Sequence, residues 1–507
     1  MIRLCRWSVR GGLVILTAVA LCSLHEHVVS RAGENEGDKP DEHKWAVDRS
    51  LMLTPRSEPV PALKYRLFPL ATELKEGNAV PIYLRLVHEQ NDENQRKRRE
   101  KPAEWNKLPL DQLPVAEARQ FLDSGGVKGM VMNYLMKQLD LGARRKTADW
   151  NYTLDAGDPI GLLLPDAQAM RVYGGLLVLK ARVEIAEKNY AAAAHTLQTG
   201  FAFSRHVSEG PFLVNSLVGI SIASQLADVL LDWVSRDDAP NLYWALTALP
   251  RPVIDLRTQF ELEYRMVELQ FPVLADLKRE RAPAEWDATL KRVRTELQRI
   301  LGYDTSDKRA PLPGRTPMDP AAKSPELPEA KKYLVERMQV LADKVDAMPP
   351  AQVLLLHLFG VNDEYRDDMF KGTNLPVPQA LPVLQAADKR LKSAPDTEAT
   401  RIPRYLLPAI ARVVIPSNRL ERRIAALRTI EAVRLHAAAH DGQLPDKLAD
   451  INEVPVPNDP GTEQPFEYRR EKGTATLIGP PLNVPISDRA SVPETGLRYR
   501  LTIKGKG

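Results

Sequence analysis

Apolar residues recur at helical spacing over most of this chain. From Pro59 to about Gly302, stretches with apolar positions three and four residues apart follow one another. They break at Gly77-Asn78, Ser124-Gly125-Gly126, Gly157-Asp158-Pro159, Glu209-Gly210-Pro211 and Asp237-Asp238-Ala239-Pro240. Such spacing predicts amphipathic helices, and the Gly, Pro and Asp clusters predict their ends. The helical pattern resumes from about Glu326 to His440, after a segment at 303–325 that holds five prolines and reads as a linker. The period then changes. Residues 466–471, 474–479 and 498–504 alternate and are rich in β-branched and aromatic residues, which predicts strands, with Lys472-Gly473 as a hairpin loop.

Residues 33–58 are polar, contain proline and show no apolar period, so they predict a flexible spacer. Ahead of them, Arg3, Arg6 and Arg10 precede an apolar run from Gly11 to Leu24. That run suits a signal-peptide core and falls short of the ~18–20 residues of a spanning helix. Residues 1–32 therefore read as a signal peptide or, if retained, as an N-terminal anchor offering membrane attachment. Val19-Ala20-Leu21-Cys22 resembles a lipoprotein box, although Leu21 stands where such boxes carry a smaller residue. The expected location is extracytoplasmic, periplasmic or secreted.

A body of this length exceeds one ordinary domain. The expected fold class is mainly α: stacked antiparallel helix pairs with a small C-terminal β-containing module. The expected units are a helical domain at 59–302, a second helical unit at 326–445 and the β module at 446–507. Hydrophobic residues make up 44% of the chain and aromatic ones only 6%, so Leu, Ala and Val must fill the helix interfaces.

Both cysteines, Cys5 and Cys22, fall in the leader. The chain beyond it can use no disulfide, cysteine-ligated metal or thiol nucleophile. Removing the four Arg and one Glu of residues 1–32 from the totals of 70 and 66 leaves 66 basic and 65 acidic residues. A nearly neutral surface gives no global attraction for nucleic acid, and none is expected as a partner. The one basic run, Arg96 to Arg99, follows Asp92 and Glu93 in the i,i+4 order that stabilises a solvated helix face.

Three resemblances add to this reading. Ala181, Ala186, Tyr190, Ala194 and Phe201 recur at spacings similar to those of a tetratricopeptide helix pair, with Glu187-Lys188-Asn189-Tyr190 as the turn. No second copy follows at the same period. The block APNLYWALTALPRP at 239–252, with 62–86 and 140–152, resembles a group of uncharacterised exported bacterial α-helical proteins. That resemblance implies shared architecture and transfers no catalytic residue. Residues 420–480 are similar to the pseudopilin junction, where a long helix ends in Gly-x-x-Pro and a small sheet follows an Asp-Pro turn. The pilin leader motif is missing, so only the helix-then-sheet shape is implied. Trp150 and Trp244 are expected to anchor helix packing.

His436 and His440 are the candidate metal ligands. They stand four apart, hence on one helix face, the geometry a metal takes from paired histidines. The stripe Leu420, Ile424, Leu427 and Leu435 lies roughly opposite. Ala437 occupies the position where a helical zinc peptidase carries its general-base Glu, so that chemistry is excluded. A structural alternative stands beside the metal site: Arg434, His436 and His440 complement the helix C-terminus, and Asp441-Gly442 ends it. A metal site would be completed by Asp441, Glu431 or a distant carboxylate.

No serine sits in Gly-x-Ser-x-Gly or Ser-x-x-Lys, the glycine-rich 124–129 lacks phosphate-loop spacing, and the carboxylates at 154–158 and 362–368 lack EF-hand spacing. No catalytic residue and no cofactor are assigned. The expected role is a non-catalytic binding or scaffolding protein with a protein partner in the cell envelope. The competing class is a metal-assisted or carboxylate-dependent hydrolase whose residues converge only in three dimensions.

Overall fold

The computed structural model describes residues 45–88, 100–123, 132–152, 154, 159–160, 165–300, 320–482 and 494–504. The expected leader with Cys5 and Cys22, the basic run 96–99, the loop 124–129, residues 155–158 and most of the 303–325 linker lie outside them. The fold is mainly helical with a small four-stranded sheet. One sheet member corrects the expected spacer at 33–58: residues Trp45–Leu53 form strand β1. The alternation is there in the sequence, since Val47, Leu51 and Leu53 are buried while Asp48, Ser50 and Met52 face outward. A polar middle at Asp48-Arg49-Ser50 and a single apolar face hide it from a search for helical period.

Strands β2 (Lys75–Asn78) and β3 (Arg145–Thr147) pair in parallel, and between them lie helices α1 (Val80–His88), α2 (Val115–Asp123) and α3 (Met132–Ala143). Helices α4 (Pro165–Ala186), α5 (Tyr190–Ser208) and α6 (Leu213–Val234) then form the heart of the first core. The turn between α4 and α5 falls at the expected residues: Lys188 takes φ +61°, and the Asn189 side chain caps α5 by accepting from the Ala192 N–H. Ala181, Ala194 and Phe201 are buried in the interface. Close approach of α5 and α6 requires Gly219, where a Cβ would lie 2.5 Å from the Ser204 carbonyl oxygen. Helix α6 is long and apolar enough to cross a membrane, yet 78% of its apolar window is buried inside the protein, as a core helix is.

After α7 (Tyr243–Thr247), α8 (Arg257–Gln270) leads into a second apolar core. That core gathers α9 (Pro283–Ile300), α10 (Leu327–Glu336), α11 (Ala342–Ala347), the first half of α12 (Pro350–Phe370) and α14 (Glu398–Leu406) around the fully buried Trp286. The end of α12, at Met369 and Phe370, and α13 (Val377–Ser393) join the first core instead. Tyr264 of α8 meets Phe370 edge-on at 5.4 Å, so α8 and α12 bridge the two cores.

The longest helix, α15 (Pro408–Ala439), is buried all round from Arg422 to Ala437. One side packs on α6 and α7, and the other is covered by the C-terminal strands β4 (Glu467–Glu471), β5 (Thr474–Gly479) and β6 (Gly496–Ile503). The sheet order is β1-β6-β5-β4, with β1 parallel to β6 and the other pairs antiparallel. Lys472-Gly473 forms the two-residue turn, both at positive φ.

A helix enclosed this way must have its polar groups answered inside the protein. Arg422 and Asp459, both fully buried, pair through two bonds of 2.7 Å, and Arg422 also donates to the carbonyls of Thr495 and Pro480. Arg434 pairs with the buried Glu431 at 2.9 Å and donates to the carbonyls of Thr54, Ala239 and Pro240. These two clusters tie α15 to the C-terminal module, to the exit of β1 and to the segment before α7.

Candidate metal centre

Helix α15 ends where its residues dictate. The His440 N–H donates to the His436 carbonyl at 3.0 Å, and the Gly442 N–H reaches back to Ala437 O at 2.7 Å. Asp441 and Gly442 take φ +48° and +81°, the left-handed stop that glycine favours. The chain then turns back, and residues 453–460 run beside the helix. Two contacts hold them there: the Tyr243 hydroxyl donates to Pro455 O, and Arg422 grips Asp459.

This return places Glu453 over the last turn of α15. Its carboxylate oxygens lie 3.4 Å from His436 Nδ1 and 3.3 Å from His440 Nδ1. The two imidazoles stack, with centroids 3.9 Å apart and planes inclined by 18°. One ligand atom from each of the three residues falls within 4.8 Å of the other two. His436 is 6% exposed, so the helix face expected to oppose the apolar stripe is in fact covered. The covering segment 443–460 is the reason. Its Nδ1 is buried and receives no hydrogen bond. His440 is half exposed, and its Nδ1 donates to the His436 carbonyl at 2.9 Å, so Nε2 is the ring nitrogen that this bond does not use.

The arrangement offers two imidazole nitrogens and one carboxylate, the donor set of a three-ligand zinc site. The other two carboxylates considered from sequence do not share in it. Glu431 is held by Arg434, and burial raises its pKa. Asp441 is not among the three residues that converge. Arg434 serves the β1 exit and the segment before α7, and does not cap the carbonyls at the end of its own helix. Glu453 was not legible beforehand. Its position depends on the Arg422–Asp459 pair, whose members stand 37 residues apart.

Trp150 and Trp244 both act as packing anchors. Trp150 is buried, stacks on Tyr152 and donates to the His206 carbonyl at 2.8 Å. Trp244 meets Tyr243 edge-on and donates to Glu58 at 2.9 Å. Away from the histidines, a cleft of about 450 Å³ opens between Lys64, Tyr65 and Arg66 on one side and Arg144 and His195 on the other. Asp140 receives His195 at 3.0 Å, Arg144 at 3.2 Å and the Thr199 hydroxyl at 2.6 Å, and His195 and Thr199 hold its carboxyl well below the usual range despite burial. No family model, curated protein or solved structure matches this chain.

Proposed function

We propose that this protein is a non-catalytic, extracytoplasmic binding protein of the cell envelope, in which a transition-metal ion clasps the C-terminal module to helix α15. The observation that carries the clasp is His436. A ring nitrogen that is buried, unbonded and 3.4 Å from a carboxylate oxygen is a costly arrangement unless something lies between them. A divalent ion there would meet two neutral imidazoles and one carboxylate, ligands that suit zinc and its neighbours more than calcium or magnesium. The binding role is supported by the open cleft walled by Tyr65, Arg66 and Arg144, which is the kind of surface a binder presents.

A second reading has one observation in its favour. Half-exposed His440 leaves a side of the three-ligand set facing solvent, as a metal-assisted hydrolase requires. Against it, neither this cleft nor a smaller one beside α15 is lined by His436, His440 or Glu453.

The test is the metal content of the full chain purified without a polyhistidine tag, beside His436→Ala/His440→Ala and Glu453→Gln. About one equivalent of zinc is expected in the parent and none in the double variant. Free zinc at ~100 times its Kd should add about 2.7 kcal/mol of stability to the parent alone. An identical melting temperature with zinc and with chelator would end the clasp reading.

A further inference from the structure

Helix α15 carries a third arginine whose charge the fold does not answer. Arg428 is 9% exposed, and its partners are a hydroxyl and a ring: Nε donates to Thr247 Oγ1 at 3.1 Å, and the guanidinium lies 5.5 Å from the Tyr243 ring centroid. Among the described residues, no carboxylate forms an ion pair with it. Burial lowers its pKa, and the neighbouring Arg251 adds to the effect. A buried cation in this state is expensive unless an anion joins it.

The guanidinium opens onto a cleft of about 320 Å³. Leu246, Leu249 and Pro250 form one wall, Ile424 the floor, and Pro455 and Val456 the other wall. Arg251 stands at the cleft, exposed, with Nη2 donating to the Thr247 carbonyl at 3.3 Å. Glu421, two helical turns before Arg428, also lines it, but its carboxyl accepts the Val253 N–H at 2.6 Å, and burial pushes its pKa up.

We propose that this cleft binds a small apolar carboxylic acid. Its carboxylate bridges Arg428 and Arg251, and its hydrocarbon body lies against Leu246, Leu249, Ile424 and Val456. Guanidinium forks match the two oxygens of a carboxylate. The apolar walls disfavour a sugar phosphate, and the Glu421 carboxyl disfavours a dianion. The volume stands at the small end of ligand pockets, which limits the body to a short chain or a single ring. The site does not rest on the metal clasp, because Tyr243 and the Arg422–Asp459 pair hold the 455–460 wall without it.

The test is calorimetric titration of the full chain with 3-phenylpropionate and with its uncharged amide, 3-phenylpropanamide. The acid should bind at one site per chain and the amide at least tenfold more weakly. Arg428→Gln should weaken the acid roughly 10- to 100-fold, the value of one charge-assisted pair. Arg428→Lys should fall between, because a point charge replaces the fork. Arg251→Gln alters an exposed side chain, so it folds regardless and should still lose several-fold in affinity. Equal binding of acid and amide, undiminished affinity in Arg428→Gln and Arg251→Gln, or no saturable binding at millimolar acid would each overturn the proposal.

Discussion

Replacing Asp459 by Asn leaves the shape of the Arg422 cluster nearly unchanged and removes the charge that answers the guanidinium. Both side chains are fully buried, and they share two bonds of 2.7 Å. Two charge-assisted bonds at about 1.5–3 kcal/mol each give a loss of about 3–6 kcal/mol. Breaking a buried pair by removing one partner costs about 3–5 kcal/mol, so the two estimates agree. Part of the loss is offset, because Arg422 keeps the carbonyls of Thr495 and Pro480 at 2.6 and 2.8 Å. Urea unfolding at neutral pH, followed by tryptophan emission, should therefore show Asp459→Asn less stable by about 3–4 kcal/mol. Arg422→Met should cost a similar amount. The double variant Arg422→Met/Asp459→Leu should cost much less than the sum, since no unpaired charge remains. A cost below about 1 kcal/mol for Asp459→Asn, or strict additivity in the cycle, would refute the view that this pair holds the module. The same substitution should weaken zinc uptake without touching a ligand, because Asp459 fixes the segment that carries Glu453.

The remaining predictions concern pH, packing and the hairpin. Burial pushes His206 down to about 4, so the unfolded chain takes up its proton first as pH falls. Its contribution is whole above about 6.5 and is lost as pH drops to about 4, an effect of about 3 kcal/mol. Burial pushes Glu263 up to about 7, and this group acts oppositely: its neutral form is favoured in the fold, and stability falls as pH rises from 4.5 to 7. The urea midpoint of His206→Gln minus that of the parent should therefore change between pH 4.5 and 6.5, and a flat difference would contradict a neutral His206. Gly219→Ala should lower stability by about 1–3 kcal/mol through overpacking against the Ser204 carbonyl, readable as a fall in melting temperature. Gly473→Val should cost about 1–2 kcal/mol, since Gly473 sits at φ +86°, and the loss should show as faster proteolysis of the hairpin.

Local chemistry accounts for the parts that were legible. The α4–α5 turn, the stop at Asp441-Gly442, the Lys472-Gly473 hairpin and the helical majority all follow from short-range spacing, capping and positive-φ preference. The histidine pair was legible for the same reason, since residues four apart share a helix face. Strand β1 was missed because nine residues with one buried face resemble a polar spacer until a partner strand is known. That partner, β6, pairs Asp48 with Arg498 and Arg500 across some 450 residues of chain.

The sequence by itself determined most of the helices, the C-terminal hairpin, several of the stops, and that no cysteine chemistry operates beyond Cys22. Each of these depends on neighbours within a few residues. Tertiary structure alone decided that α15 is buried on every side from Arg422 to Ala437, that Glu453 meets His436 and His440, and that Arg428 faces a cleft with no carboxylate paired to it while Arg422 and Arg434 are paired. Four arginines in the run from 419 to 428 look alike as letters. What separates them is the dielectric and the partners each one meets, and those are set by long-range packing that no local pattern encodes.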